Sequence, residues 1–203
     1  MKPSSFFRFC PACGAARPSL RNGVLLHCGG CGFHFHFNPA VSVSAFLRRR
    51  DGRILLIRRA RAPGRGKLAP PGGFVDIGET AEDALLRELR EEVGVSAASV
   101  RFLCSSVNRY RYRGVTYPVV DLFFTARVRS PGTAAALDDV REVGWFDPSE
   151  VDAGRLAFPS MRTAWARLRE DPGATSGREL PGRDRRGVRG GRPVKGRSGT
   201  PAA

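Results

Sequence analysis

No stretch of this 203-residue chain approaches the roughly 18 consecutive apolar residues that a membrane-spanning helix needs, which argues against a bilayer span. Residues 1–9 hold no apolar run ahead of a small-residue cleavage site, so the sequence reads as cytoplasmic rather than secreted. No internal repeat at solenoid periods is present, which sets aside stacked-repeat architectures. Acidic residues are scarce: 19 Asp+Glu stand against 34 Lys+Arg, a formal charge of +15. Such a charge bears on solubility and on steering toward polyanions, not on fold. The 41% hydrophobic content excludes a wholly disordered chain, and the length suits one ordinary domain plus a small module.

The basic surplus is uneven. Residues 173–203 carry eight basic side chains against two acidic ones, and only Leu180, Val188 and Val194 as large aliphatics. So little apolar surface cannot offset the entropy of ordering, and residues 172–203 are expected to form a disordered basic tail. A weak contact with nucleic acid is one reading of it; a solvated tail with no specific role is the other.

Four of the five cysteines read Cys10-Pro-Ala-Cys13 and Cys28-Gly-Gly-Cys31, fourteen residues apart. Two such knuckles supply the four thiolates of a tetrahedral Zn²⁺ site, with glycines that let backbone amides approach sulfur. Two disulfides or a redox pair are the alternatives; a cytoplasmic setting argues against the first, and the second needs only one pair. Four cysteines leave no open position, so one structural zinc per chain is expected, on a ribbon over residues 6–37 too small to fold without metal. His34 and His36 alternate with Phe33, Phe35 and Phe37, the pattern of a strand leaving the ribbon. Cys104, within an apolar stretch, reads as core filler.

Residues 41–47 and 54–57 read as strands joined at Asp51-Gly52. After an Arg-, Gly- and Pro-rich loop comes Gly72-Gly73, and then Thr80 as a helix cap with Asp83 three residues on. The spacing of Ala84, Leu85, Leu89 and Val93 predicts a helix over 81–93 that stops at Gly94. Glu88, Glu91 and Glu92 share its other face, related by i, i+3 and i, i+4. Three like charges gathered there suit Mg²⁺ or Mn²⁺; a solvated acidic face paired with Arg87 and Arg90 is the plainer alternative.

Gly73, five residues, Glu79, seven residues, then Arg87-Glu88-Leu89-Arg90-Glu91-Glu92-Val93-Gly94-Val95 matches the fixed positions of the Nudix box. Over residues 38–171 the chain resembles a Nudix hydrolase. The resemblance implies an α/β/α sandwich and Mg²⁺- or Mn²⁺-dependent hydrolysis of a nucleoside diphosphate linked to another group. It implies Glu88 and Glu92 as main metal ligands, Glu91 close by, the Gly72 carbonyl completing the site, and an Arg87–Glu79 pair holding the box loop. Glu142, three residues before Trp145, is the further metal or base carboxylate the resemblance suggests. Glu91 and Glu142 are the candidates for general base, so Glu91, Glu92 and Glu142 form the expected catalytic set. A catalytically weak nucleotide sensor or nucleic-acid adaptor is the competing function.

A Cys₄ ribbon ahead of this domain is similar to the NADH pyrophosphatase group and to a group acting on FAD or ADP-ribose. The former carries Ser-Gln-Pro-Trp-Pro-Phe-Pro-x-Ser after the box. Here the region reads Ser105-Ser106-Val107-Asn108-Arg109-Tyr110-Arg111-Tyr112, and only its first serine fits. The segment alternates Arg109, Arg111 and Arg113 with Tyr110 and Tyr112. Substrate binding by Arg109, Tyr110 and Tyr112, or a plain strand–turn–strand with its turn at Arg113-Gly114, both fit. A closing helix is expected near 159–170, with Met161, Ala164, Trp165 and Leu168 inward. A homodimer through the ribbon stays open.

Overall fold

Residues 2–128, 134–138 and 140–170 are described in a computed structural model of the protein. The expected basic tail lies outside the described residues. Among these, no helix is long and apolar enough to cross a membrane.

The N-terminal module is a three-stranded antiparallel sheet of β1 (Ser19–Arg21), β2 (Leu25–His27) and β3 (His34–His36). Its two knuckles close alike. The N–H of Gly14 donates to the carbonyl of Cys10 and that of Gly32 to Cys28, with both glycines at positive φ. Leu26 is the buried centre, and little else apolar is covered, as a module of this size predicts.

The main sheet has β4 (Ala40–Arg48), β5 (Ile54–Arg59), β6 (Leu68–Ala69), β7 (Ala97–Tyr112) and β8 (Val115–Val128) in the order β6-β5-β4-β8-β7, and β9 (Val140–Phe146) pairs with β5. β4 runs parallel to β8, while the β4–β5 and β7–β8 pairs are antiparallel. Residues 43–47 are buried without a break, which a strand reaches only with both faces covered. α1 (Ala81–Val93) packs on β4, and α2 (Pro159–Glu170) lies along β7 and sends Trp165 to Phe46, rings 5.5 Å apart.

α1 forms where the sequence predicts. The Thr80 hydroxyl accepts from the Asp83 N–H and donates to the Asp83 carboxylate, and Gly94 ends the helix at φ 67°. Ala84, Leu85, Leu89 and Val93 are fully buried, and each large apolar side chain so covered contributes roughly 1.5–3 kcal/mol. Met161, Ala164, Trp165 and Leu168 form the inner face of α2. Cys104 is half-buried against the core, and burial raises its thiol pKa.

Candidate active site

The loop before α1 is fastened along β4. Val43 N–H donates to the Gly73 carbonyl, Ala45 N–H to that of Pro71, and Val75 N–H to that of Val41. Gly72 must be glycine here: its φ is 145°, and a Cβ would lie 2.0 Å from the Val43 carbonyl oxygen. At Gly73 a Cβ would lie 2.3 Å from Glu88 Oε1. Bare backbone at both positions admits the carboxylates of α1.

The Gly72 N–H donates to Glu92 Oε2 at 2.8 Å. Burial nonetheless pushes Glu92 up to about 7, with the nearby Glu88 charge adding to the rise. Burial also raises Glu88, offset in part by Arg87. Two partly buried carboxylates that resist ionisation are a site whose charged form calls for a cation. Arg87 supplies part of that charge. Its guanidinium forks onto Glu79 at 2.8 and 2.9 Å, reaches the Phe74 carbonyl at 3.0 Å, and donates to Glu88 at 2.8 Å and Glu91 at 3.0 Å. The fork holds Glu79 below the usual carboxylate range and raises Arg87 in turn.

Glu88, Glu91 and Glu92 line a cavity of about 340 Å³, with Gly72 and Gly73. Arg59 and Arg61 reach the same space. The rest of the lining is aromatic and polar. Phe74 meets Tyr110 edge-on at 5.5 Å, and Tyr110 meets Phe158 at 5.9 Å. Asn108 and the buried Asp121 also line it, Asp121 accepting from Ser42 at 2.6 Å and Ser160 at 2.5 Å. The register Ser42↔Asp121 and the β7 ladder carry these residues to the helix.

The other predicted residues lie elsewhere. Glu142 faces Arg58 across the β5–β9 ladder and accepts from its Nε at 2.8 Å, which lowers the carboxyl pKa. It is exposed and does not line the cavity, whereas Asp138 does. Arg109 points away, as strand alternation requires when Asn108 and Tyr110 point in. Tyr112 packs under Arg113, at a two-residue turn where Arg113 and Gly114 have φ of 45° and 80°. The strand–turn–strand reading and the substrate reading thus share the segment, with Tyr110 alone of the three in the cavity.

The cavity residues that sequence reasoning missed had one visible signal among them. Asp121 interrupts the apolar run Val119-Val120-Asp121-Leu122-Phe123. Arg59, Arg61, Phe74, Asn108, Asp138 and Phe158 carried none, because only the sheet register and the α2 approach bring them together.

At the ribbon, the Sγ atoms of Cys10, Cys13, Cys28 and Cys31 all lie within 4.8 Å of one another. The Cys10–Cys31 and Cys13–Cys28 separations are 3.8 and 3.7 Å. A tetrahedron with ligands at about 2.3 Å from its centre has edges of about 3.8 Å, so the four sulfurs can hold a metal ion. Backbone N–H groups of Cys31 and Gly30 draw the Cys28 thiol down to about 7. Cys31, drawn down by the Phe33 amide, is driven up to about 12 by the neighbouring sulfurs. Four thiolates this close require a cation among them.

The chain belongs to the NUDIX domain family, which matches residues 38–165. An ADP-ribose pyrophosphatase from Methanocaldococcus jannaschii is 37% identical over 128 residues, 62% of this chain and 71% of that one. An NAD-capped RNA hydrolase NudC from Vibrio atlanticus is 34% identical over 100 residues, 48% of this chain but only 36% of its own length. Among solved structures, a NUDIX hydrolase from Nitrosomonas europaea superposes with a TM-score of 0.62 at 26% identity, over 81% of this chain and 92% of that one. The NUDIX domain of Shewanella oneidensis NrtR, complexed with ADP ribose, gives 0.54 at 27% identity, over 66% and 90%.

Proposed function

We propose that this chain hydrolyses the diphosphate bond of a nucleoside diphosphate joined to a second moiety, of the ADP-ribose or NAD type, and releases a nucleoside monophosphate. The observation that carries this reading is the lining of one cavity: carboxylates beside bare glycine backbone, together with aromatic rings and hydrogen-bonding groups. A diphosphate between a base and a second group spans such a space. The relatives and the neighbour named for ADP-ribose and NAD-capped RNA support that substrate class.

The donor set fits Mg²⁺ or Mn²⁺, which favour carboxylate and carbonyl oxygens. Glu88 and Glu92 would hold the ion, with Glu91 close by and the Gly72 carbonyl, whose neighbours Pro71 and Gly73 give theirs to β4. A bound divalent ion neutralises phosphoryl charge and lowers the pKa of attacking water. Arg59 and Arg61 face the phosphates. Glu91, the exposed carboxylate of the three, takes the proton from the water. Phe74, Tyr110 and Phe158 hold the base, and Asp121 and Asn108 accept its hydrogen bonds or those of its sugar. The ribbon over 6–37 takes one Zn²⁺, the ion that matches four thiolates at these separations, in a structural role. The NUDIX hydrolase domain extends over 38–171.

The test is turnover with Mg²⁺ or Mn²⁺ on ADP-ribose, NADH, NAD⁺, FAD, diadenosine polyphosphates and nucleoside triphosphates, with products separated by chromatography. AMP from one of the dinucleotide or sugar-nucleotide substrates is expected. Folded, zinc-loaded protein inert toward all of them would favour the sensor or adaptor reading.

A further inference from the structure

A second cleft, of about 870 Å³, opens where the ribbon meets the β7–β8 hairpin, and the hydrolysis above leaves it unused. Phe35, Phe37 and Val24 line it from the ribbon, Tyr117 and Arg109 from the hairpin, with Lys2 beside them. Phe7 joins Phe35 and Phe37 in a continuous aromatic array, with ring centres 5.0, 5.2 and 6.4 Å apart. These rings are not core: Phe35 is 46% exposed and Phe7 38%. Such a cluster of exposed apolar side chains marks a contact surface.

Charge narrows the partner. The first 50 residues contain no Asp or Glu, while Lys2 precedes the ribbon and Arg8, Arg17 and Arg21 lie within it. The negative charge of a zinc–thiolate centre belongs to the knuckles. The cleft opens at the other end of the hairpin, at Gly23, Val24 and the exit through His36 and Asn38. Lys2 and Arg109, the cations of this cleft, disfavour both the chain's own basic tail and a second copy of a chain with charge +15. In an acidic peptide rings are incidental to the charge, whereas every nucleotide carries both a flat base and a phosphate. An anionic membrane suits protruding aromatics, but Phe35 and Phe37 line a concavity.

We propose that this cleft binds a single-stranded polynucleotide, its bases stacking on Phe35 and Tyr117 within it and on Phe7 beside Phe35, and its phosphates meeting Lys2 and Arg109. Stacking on aromatics and backbone neutralisation are the two parts of single-strand recognition. This inference goes beyond the hydrolysis reading and does not depend on it, since binding is scored without turnover.

The experiment is fluorescence anisotropy of a labelled oligo(dT) of about 12 nucleotides with the full, zinc-loaded chain in Mg²⁺-free buffer. Phe7→Ser with Phe35→Ser is expected to weaken binding about tenfold or more. Lys2→Glu with Arg109→Glu is expected to flatten the log–log salt slope by about 1 or more, a readout independent of any effect of the aromatic pair on ribbon folding. Arg141→Glu, on the exposed face of β9, is the charge control and is expected to bind like wild type. Zinc content of one per chain certifies each variant. Three results would overturn the proposal: no oligonucleotide binding, wild-type affinity and salt slope in the ribbon variants, or a duplex bound as tightly as the single strand. Phosphatidylserine vesicles lost by the ribbon variants, with oligonucleotide affinity unmoved, would assign the surface to membrane instead.

Discussion

The ribbon's four sulfurs and the helix's three carboxylates are both clusters of anionic ligands, yet they are held in opposite ways. The sulfurs sit at the edge lengths of a tetrahedron, with no protein cation among them. Of the carboxylates, Glu88 and Glu91 are bridged by Arg87, and Glu92 accepts from the Gly72 N–H. A soft, closed set commits to one ion and makes it part of the fold. A hard, open set, part-neutralised by an arginine, can exchange its ion and leave room for phosphate oxygens. On the proposed function, the difference would separate a structural metal from a catalytic one within a single chain.

The largest effect expected from breaking this contrast is at the sulfurs. Cys28→Ser should take zinc from one per chain to near zero and abolish amide protection across β1–β3, since structural zinc supplies on the order of 10 kcal/mol to such modules. Dialysis into Mg²⁺-free buffer, by contrast, should stop hydrolysis and leave the zinc in place.

At the carboxylates, Glu92→Gln should lower kcat by about 10³-fold or more with zinc content and fold unchanged. A wild-type rate would remove this carboxylate from the chemistry. Arg87→Ala should cost about 3 kcal/mol, because the fork onto Glu79 and the bond to the Phe74 carbonyl are lost from a mostly covered site. In a domain of this size that lowers the melting temperature by roughly 6–12 °C, read by calorimetry.

The sequence made both anionic clusters legible for the same reason. Cys-x-x-Cys pairs and the Glu88, Glu91, Glu92 spacing are local: one turn or one helix face suffices to bring the ligands together. The capping of α1 by Thr80, its stop at Gly94 and its buried face are local too, and the structure shows each of them. What the sequence could not show depends on pairing between distant strands. Glu142 stands near Trp145 in the chain, but β9 pairs with β5 and sets it opposite Arg58. Arg109 and Tyr110 are neighbours that strand alternation sends to different cavities. Asp121 enters the site only because β8 runs parallel to β4.

Titration sharpens the contrast further. Glu92 is pushed up to about 7 in the folded chain, above an unfolded value near 4.3, so the native state keeps a proton that the unfolded state loses. Without metal, stability should therefore fall as pH rises from about 4.5 to 7, by about 3 kcal/mol, and then level off. Glu79 and Glu142, whose pKa values are lowered, act in the other direction, through stability lost at more acidic pH, and do not mask this window. Urea titrations at stepped pH read the slope; Glu92→Gln should reduce it to the part contributed by Glu88, which burial also raises. Saturating Mg²⁺ should do the same, its affinity rising about tenfold per pH unit below 7.

The smallest effect separates two acidic residues. Glu142→Gln breaks an exposed pair with Arg58 and should cost under about 1 kcal/mol, with turnover within about threefold of wild type. Asp138→Asn, at the cavity, should lower turnover by about tenfold or more. The reverse order would return Glu142 to the catalytic set.

The most direct test of the central claim is Mg²⁺-dependent release of AMP from ADP-ribose or an NAD-type dinucleotide, measured side by side for wild type and Glu92→Gln at equal zinc content. Release by wild type, with the Glu92→Gln variant near background, is the predicted result. Equal rates in the two proteins, or no release from any substrate by folded wild type, would contradict the assignment of hydrolysis to the carboxylates of α1.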